Sequence, residues 1–213
     1  MKAIILAAGE GLRCRPLTLT RSKVMLPVAN KPLLEHIIKA VTENGIKEII
    51  LVVGYKKERI MDYFGDGLGF GAKIEYVFQE AQLGTAHAIK QCEKYIDGDF
   101  LVLNGDNLVD SNTIADLLSG KKGQVTLLAV EREQTIGYGV VISENGKVIK
   151  IHEKPKEVVS HLVNAGGYVF SPVLFDEIDR TSLSTSGEYA ITDTIQQMIE
   201  KGNDINMVES KSM

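Results

Sequence analysis

Two cysteines and four histidines are all that a 213-residue chain offers here for thiol or soft-metal chemistry. Cys14 and Cys92 stand far apart with no CxxC spacing, so a zinc site and a disulfide framework are both disfavoured, and a reducing compartment fits best. No Ser-His-Asp or Cys-His arrangement is visible. No stretch approaches the ~18 consecutive apolar residues of a membrane span. The apolar run after Lys2 stops at Gly9-Glu10-Gly11, too soon for the core of a secretory signal. These absences predict a cytoplasmic protein with no membrane partner. Excess positive charge is missing too: a formal net charge of −4 speaks against a general nucleic-acid binder. Linkers, repeats and low-complexity tracts are lacking, so the chain reads as one domain. What is present is ordinary for a globular core, with 44% hydrophobic and 24% charged residues.

The first half alternates apolar runs with helical patterns. Ala3–Ala8 is continuously apolar and Glu48–Val53 is so after its first residue, as strands buried on both faces should be. Lys73–Phe78 and Asp99–Leu103 complete a set of four strands. Between them, Pro32 opens a helix that ends at Asn44-Gly45, Lys56–Phe64 reads as helical, and a further helix is expected from Gly84 to Tyr95. Gly65–Gly71 reads as a flexible loop. This alternation predicts an α/β fold with a doubly wound, mixed but mostly parallel sheet, whose ligands bind at the carboxyl ends of the strands. The second half changes character. Val125–Val130 and Leu162–Phe170 read as strands, Tyr138–Ser143 and Lys147–His152 as a hairpin around Glu144-Asn145-Gly146. A helix follows Pro172, and another spans Tyr189–Lys201 before an apparent last strand.

The loop after the first strand carries the chemistry. Its glycines fail the dinucleotide fingerprint, because Cys14 stands where the third glycine belongs, and no Gly-Lys-Ser/Thr closes a Walker loop. It reads instead G-x-G-x-R-x-R-P-L-T, followed by Lys23 and Pro27. Glycines admit a ligand close to backbone N–H groups, and the guanidiniums of Arg13 and Arg15 point to an anion.

Taken with S-K-V-M-L-P-V at 22–28, the loop resembles the signature of the sugar-1-phosphate nucleotidyltransferases. Downstream pieces agree and come in the family's order: Gln79 with Gln82–Ala88, Gly105-Asp106, Gly137-Tyr138-Gly139, Glu153-Lys154-Pro155 and Asn164–Gly167. The resemblance implies a Rossmann-like nucleotide-diphospho-sugar transferase fold and transfer of a nucleotidyl group from UTP or dTTP to a hexose 1-phosphate. Leu6-Ala7-Ala8-Gly9 looks more like the N-acetylglucosamine-1-phosphate uridylyltransferases than the Leu-Ala-Gly-Gly of the thymidylyltransferases. The alternative is a non-catalytic regulatory or nucleotide-sugar-binding relative, since a fold does not fix a function. Whether the protein forms a homo-oligomer stays open.

By the same resemblance, Arg13, Lys23 and Asp106 are the catalytic residues. Arg13 would hold the leaving pyrophosphate, Lys23 would lie beside the phosphates, and Asp106 would ligate Mg²⁺. Ser22 departs from the family, which often has proline before this lysine. Ala8, Gly9, Gly11, Gln79, Gly84 and Thr85 would bind the nucleotide, with Gln79 reading uracil or thymine. Gly139, Glu153, Lys154 and Asn164 would meet the sugar and its phosphate. His87 reads as a packed helix residue. The family's second metal ligand comes from a segment beyond Glu188–Asp193 that is not found here, so 1–213 is expected to be a catalytic domain cut short at its C-terminus.

Overall fold

The computed structural model describes residues 1–184 and 187–210. Residues 211–213, the last of the end expected to be cut short, therefore lie outside the described residues. Strand β1 (Lys2–Ala7) enters the signature loop, which makes two 3-10 turns and a short ribbon, β2 (Pro27–Val28) with β3 (Lys31–Pro32). Then come α1 (Leu33–Glu43), β4 (Glu48–Val53), α2 (Lys57–Phe64), β5 (Lys73–Phe78), α3 (Thr85–Lys90) and β6 (Phe100–Asn104). The second half holds α4 (Ser111–Ser119), β7 (Val125–Glu131), β8 (Val140–Glu144), β9 (Lys147–His152) and β10 (Leu162–Phe170). It closes with α5 (Leu174–Ile178), α6 (Ile191–Glu200) and β11 (Ile205–Ser210).

Nine strands form one mixed sheet in the order β5-β4-β1-β6-β10-β7-β11-β9-β8. Strands β9 and β10 run against the other seven, in keeping with a mixed and mostly parallel sheet. Alternation within each strand sends side chains to two cores. Ile5, Leu51 and Leu103 face α1, α2 and α4, while Ile4, Val52 and Val102 face α3, α5 and α6. Both faces are covered, which is why the central strands are apolar without interruption. Helix α1 buries Leu34, Ile37, Ile38 and Val41, and each such side chain contributes roughly 1.5–3 kcal/mol of apolar burial.

Three expectations are corrected. The helix expected over 84–95 ends at Lys90, and Glu93–Tyr95 tightens into a 3-10 turn in which Tyr95 N–H donates to Cys92 O. The glycine-rich 65–71 stretch is a packed turn: Phe70 lies 5.0 Å from the Phe64 ring and 5.9 Å from Tyr63. Helix α4 was not expected. Its signal is Asp110, whose side chain accepts from Thr113 N–H at 2.7 Å as an N-cap ahead of buried Ile114 and Leu117.

At the centre of the second core, Phe100 is fully buried and stacks on Phe175 at 5.3 Å, with Phe170 at 5.9 Å. Phe100→Ala is expected to cost about 3–5 kcal/mol in urea denaturation. A loss under about 1 kcal/mol would show that this stack does not hold α5 to the sheet.

Candidate active site

Strand β1 has β4 on one side and β6 on the other, so the chain winds away from it in both directions. At such a reversal the loops after the strands part and leave a crevice. A cleft of about 300 Å³ opens there. The loop after β1 supplies Ala8, Gly9 and Gly11, the end of β5 supplies Gln79, and the start of α3 supplies Gly84 and Thr85. Lys23 and Asp106 meet across its wall, Nζ to Oδ2 at 2.7 Å. Eight of the expected site residues thus share one cavity.

Two glycines are required by geometry. Gly11 has φ +65°, and a Cβ there would sit 2.9 Å from Lys23 Cβ, so the loop can press on the lysine only without a side chain. Gly84 has φ +101° and would place a Cβ 2.5 Å from Tyr189 O. That close approach lets the 188–191 segment clasp the turn. Tyr189 N–H donates to Leu83 O at 2.7 Å, and Ile191 N–H donates to Thr85 Oγ1 at 2.9 Å. Thr85 therefore caps the first turn of α6 while lining the cleft.

Gln79 is 5% exposed, and its Nε2 lies 3.0 Å from Gly84 O and 3.0 Å from His87 Nδ1. His87 was expected only to pack; it is bonded to a residue of the cleft. Arg13 falls outside the cleft lining. It sits exposed on the 3-10 turn Leu12–Cys14, without an ion pair among the described residues, whereas Arg15 pairs with Glu10 at 2.6 Å. Sequence reasoning gave no role to Gln82, Asn104 or Glu188, which also line the cleft. Gln82 Nε2 donates to Ala8 O at 3.2 Å. Glu188 opens the Glu188–Asp193 stretch that resembles a family element, and the clasp on Gly84 brings it to the cleft. Tyr55 was missed as well. Its hydroxyl donates to Thr18 O at 3.1 Å and Leu19 O at 3.2 Å, bracing the signature loop.

The four expected sugar residues form a second group. Asn164 N–H donates to Gly139 O at 2.8 Å, and Glu153 Oε2 accepts from Thr192 Oγ1 at 2.9 Å. Lys154 pairs with Glu153 at 3.0 Å. Asn164 spends its side chain internally, donating to Tyr168 OH at 2.7 Å and accepting from Gly166 N–H at 3.1 Å. Burial raises the Asp193 carboxyl above its ordinary range; the charge of Glu153 adds to the rise and Lys154 opposes it. The group joins the cleft through the turn after β6, where Asn107 Nδ2 donates to Ala165 O at 2.8 Å.

This arrangement has relatives. Residues 2–212 match the family model described as nucleotidyl transferase. The chain belongs to that family. It is 42% identical over 204 residues to the bifunctional protein GlmU of Methanococcus maripaludis, covering 95% of this chain and 48% of that protein. It is 35% identical to the UTP–glucose-1-phosphate uridylyltransferase AglF of Haloferax volcanii, covering 98% of this chain and 87% of the relative. Among solved structures, a Bacillus anthracis protein assigned as a glucose-1-phosphate thymidylyltransferase, in complex with a sucrose, superposes with a TM-score of 0.89 at 29% identity. That match covers 99% of this chain and 87% of the other. The chain spans about half the length of the first curated relatives it matches. No described helix is long and apolar enough to cross a membrane.

Ser22 marks where the chain departs from the nucleotidyl transferase signature. Its hydroxyl is buried without a hydrogen-bond partner, and its backbone already sits at φ −63°, ψ 151°, which proline adopts freely. Ser22→Pro is expected to stabilise the protein by about 1 kcal/mol in denaturant titration, by removing the orphan hydroxyl and restricting the unfolded chain. A loss of stability would show that the Ser22 N–H is needed.

Proposed function

We propose that the protein joins a pyrimidine nucleoside triphosphate, UTP or dTTP, to a hexose 1-phosphate such as glucose or N-acetylglucosamine 1-phosphate, releasing pyrophosphate. The observation that carries the proposal is the Lys23–Asp106 pair on the wall of a cleft that also holds the buried amide of Gln79. A cation and a carboxylate stand where phosphates can enter, and a base-reading group stands in the same cavity. The relative AglF is by its name a UTP–glucose-1-phosphate uridylyltransferase, which supports the same class of substrates. The proposal takes residues 1–213 as one catalytic domain working in the cytoplasm, in keeping with two unpaired cysteines.

An oxygen of the sugar phosphate forms the new bond to the α-phosphorus while the bond to the bridging oxygen breaks and pyrophosphate leaves with its electron pair. The nucleophile is already anionic, so no side chain has to remove a proton. What the reaction needs is positioning and neutralisation of two anions brought together. Lys23 turns from Asp106 to the phosphates. The N–H groups of the loop after β1 add partial positive charge. Arg13 reaches in from the rim to the leaving pyrophosphate. Glu153 and the Gly139 backbone offer bonds to sugar hydroxyls, and Lys154 faces the sugar phosphate.

The residues also fit Mg²⁺ of a particular kind. The described residues contain no cluster of three or more His, Cys, Asp or Glu side chains able to cage a metal, and Asp106 is a single hard carboxylate in the cleft. Such a site suits Mg²⁺, which commonly uses one or two carboxylates plus substrate phosphates. Bound there with the nucleotide, it would neutralise charge developing on the phosphates.

The test is a matrix of nucleoside triphosphates against sugar 1-phosphates with Mg²⁺, read as pyrophosphate. Release is expected with UTP or dTTP and a hexose 1-phosphate. Lys23→Ala is expected to cut turnover by about 10²-fold or more while nucleotide still binds. Nucleotide binding without pyrophosphate from any pair would overturn catalysis and favour a non-catalytic nucleotide-sugar-binding role.

A further inference from the structure

A neutral imidazole has one bare nitrogen and one N–H, and that constraint bears on the Gln79 amide. Gly84 O can only accept, so the Gln79 nitrogen, 3.0 Å away, must face it. The same nitrogen lies 3.0 Å from His87 Nδ1, which is therefore the bare one. The ring proton then sits on Nε2. Gln91 Nε2 lies 3.3 Å from that ring nitrogen and donates to His87 O at 3.4 Å; swapping the Gln91 amide gives the ring N–H an acceptor at the loss of this longer bond.

Both N–H bonds of Gln79 are thus committed, one to Gly84 O and one to His87 Nδ1. Its Oε1 is the amide atom without a partner among the described residues. Uracil and thymine carry an N–H at N3, which an oxygen accepts from; cytosine carries a bare N3, which an oxygen repels. We infer that His87 is a specificity-determining positioning residue: its bare Nδ1 takes the second N–H of Gln79 and, together with Gly84 O, holds the amide oxygen free for the base, so the cleft selects uracil or thymine nucleotides over cytosine nucleotides. The inference rests on the nucleotide reading proposed above. His87 does not touch the substrate and acts through Gln79.

The lock makes a prediction that a purely structural histidine does not. Only the donor or acceptor character at position 87 should matter to base choice. His87→Glu offers acceptors alone and should hold Gln79 as it is. His87→Lys offers donors alone, so it should attract the Gln79 oxygen in competition with the hold of Gly84 O on the nitrogen and loosen the amide. The added charge of either variant acts alike on two triphosphates, so it cancels in their ratio. The measurement is kcat/KM for UTP relative to CTP, with binding of each nucleotide followed by calorimetry. His87→Lys is expected to lower the UTP/CTP ratio by about tenfold or more, and His87→Glu to stay within about threefold of the unaltered protein. Equal ratios in all three proteins would overturn the inference.

Gln79→Ala separates this failure from failure of the nucleotide reading. A ratio that collapses in Gln79→Ala yet holds in both His87 variants removes His87 alone. A ratio unmoved in Gln79→Ala removes the base from this amide, and the lock with it. A readout that needs no variant is the ¹⁵N spectrum of the unaltered protein's histidines. The Nε2–H tautomer is expected for His87, and the Nδ1–H tautomer would overturn the assignment even if a variant failed to fold.

Discussion

The cleft depends on β1 being paired along both edges and buried on both faces. Parallel partners β4 and β6 take up its backbone groups, and two separate cores take up its alternating side chains. A strand held this firmly gives the loop that leaves it a fixed origin. Gly105 N–H then donates to Leu6 O at 2.9 Å, and Tyr55 N–H to Ala8 O at 3.1 Å, so the loops after β6 and β4 are tied to the same strand end. The polar groups of the site come from sequence positions as distant as Lys23 and Asp106, yet all are referred to one rigid element.

On that frame the electrostatics are cheap to rearrange. The Lys23 and Asp106 side chains are 34% and 41% exposed, and an ion pair so wetted contributes only about 0–1 kcal/mol. A phosphate entering the cleft therefore displaces little stability when it takes Lys23 from Asp106. A fully buried pair would resist that exchange, because separating its members would strand a desolvated charge. Half-exposure is the condition under which one lysine can serve as a structural partner in the empty cleft and as a phosphate ligand in the filled one.

The parts legible from sequence were those in which a local pattern suffices. Uninterrupted apolar runs reveal doubly buried strands, Asn145-Gly146 reveals a hairpin through two residues at positive φ, and the glycines after β1 reveal a turn in which Gly11 stands at positive φ. Tyr55 had no such pattern, and the resemblance at Glu188–Asp193 gave Glu188 no role. Glu188 reaches the cleft because its neighbour Tyr189 lies against a glycine a hundred positions earlier, and Tyr55 matters through a hydroxyl that touches backbone at Thr18 and Leu19. The partner of His87 was out of reach for a related reason. Its position on a helix suggests packing, and only the fold shows which side chain lies 3.0 Å from its Nδ1. Local sequence reports what a residue can do chemically, while its partner across the fold decides which capacity is used.

The same logic explains how the cleft and the group around Glu153 and Asn164 come together although they arise from different halves of the sheet. Asn104 lines the cleft, and Gly166 packs so closely on it that a Cβ there would lie 2.2 Å from Asn104 Nδ2. Asn107 holds Ala165 O, and the pairing of β10 with β7 shifts register between Asn164 and Tyr168. That irregularity turns Asn164 and Gly166 toward the end of β6 just where β10 reverses the sheet's direction. An antiparallel strand is what allows it. Coming from the opposite side, β10 starts at the edge where β6 ends, so its early residues stand beside Asp106 without any helix between them. The change from parallel to antiparallel pairing therefore brings the residues proposed for the sugar to the strand end that carries Asp106.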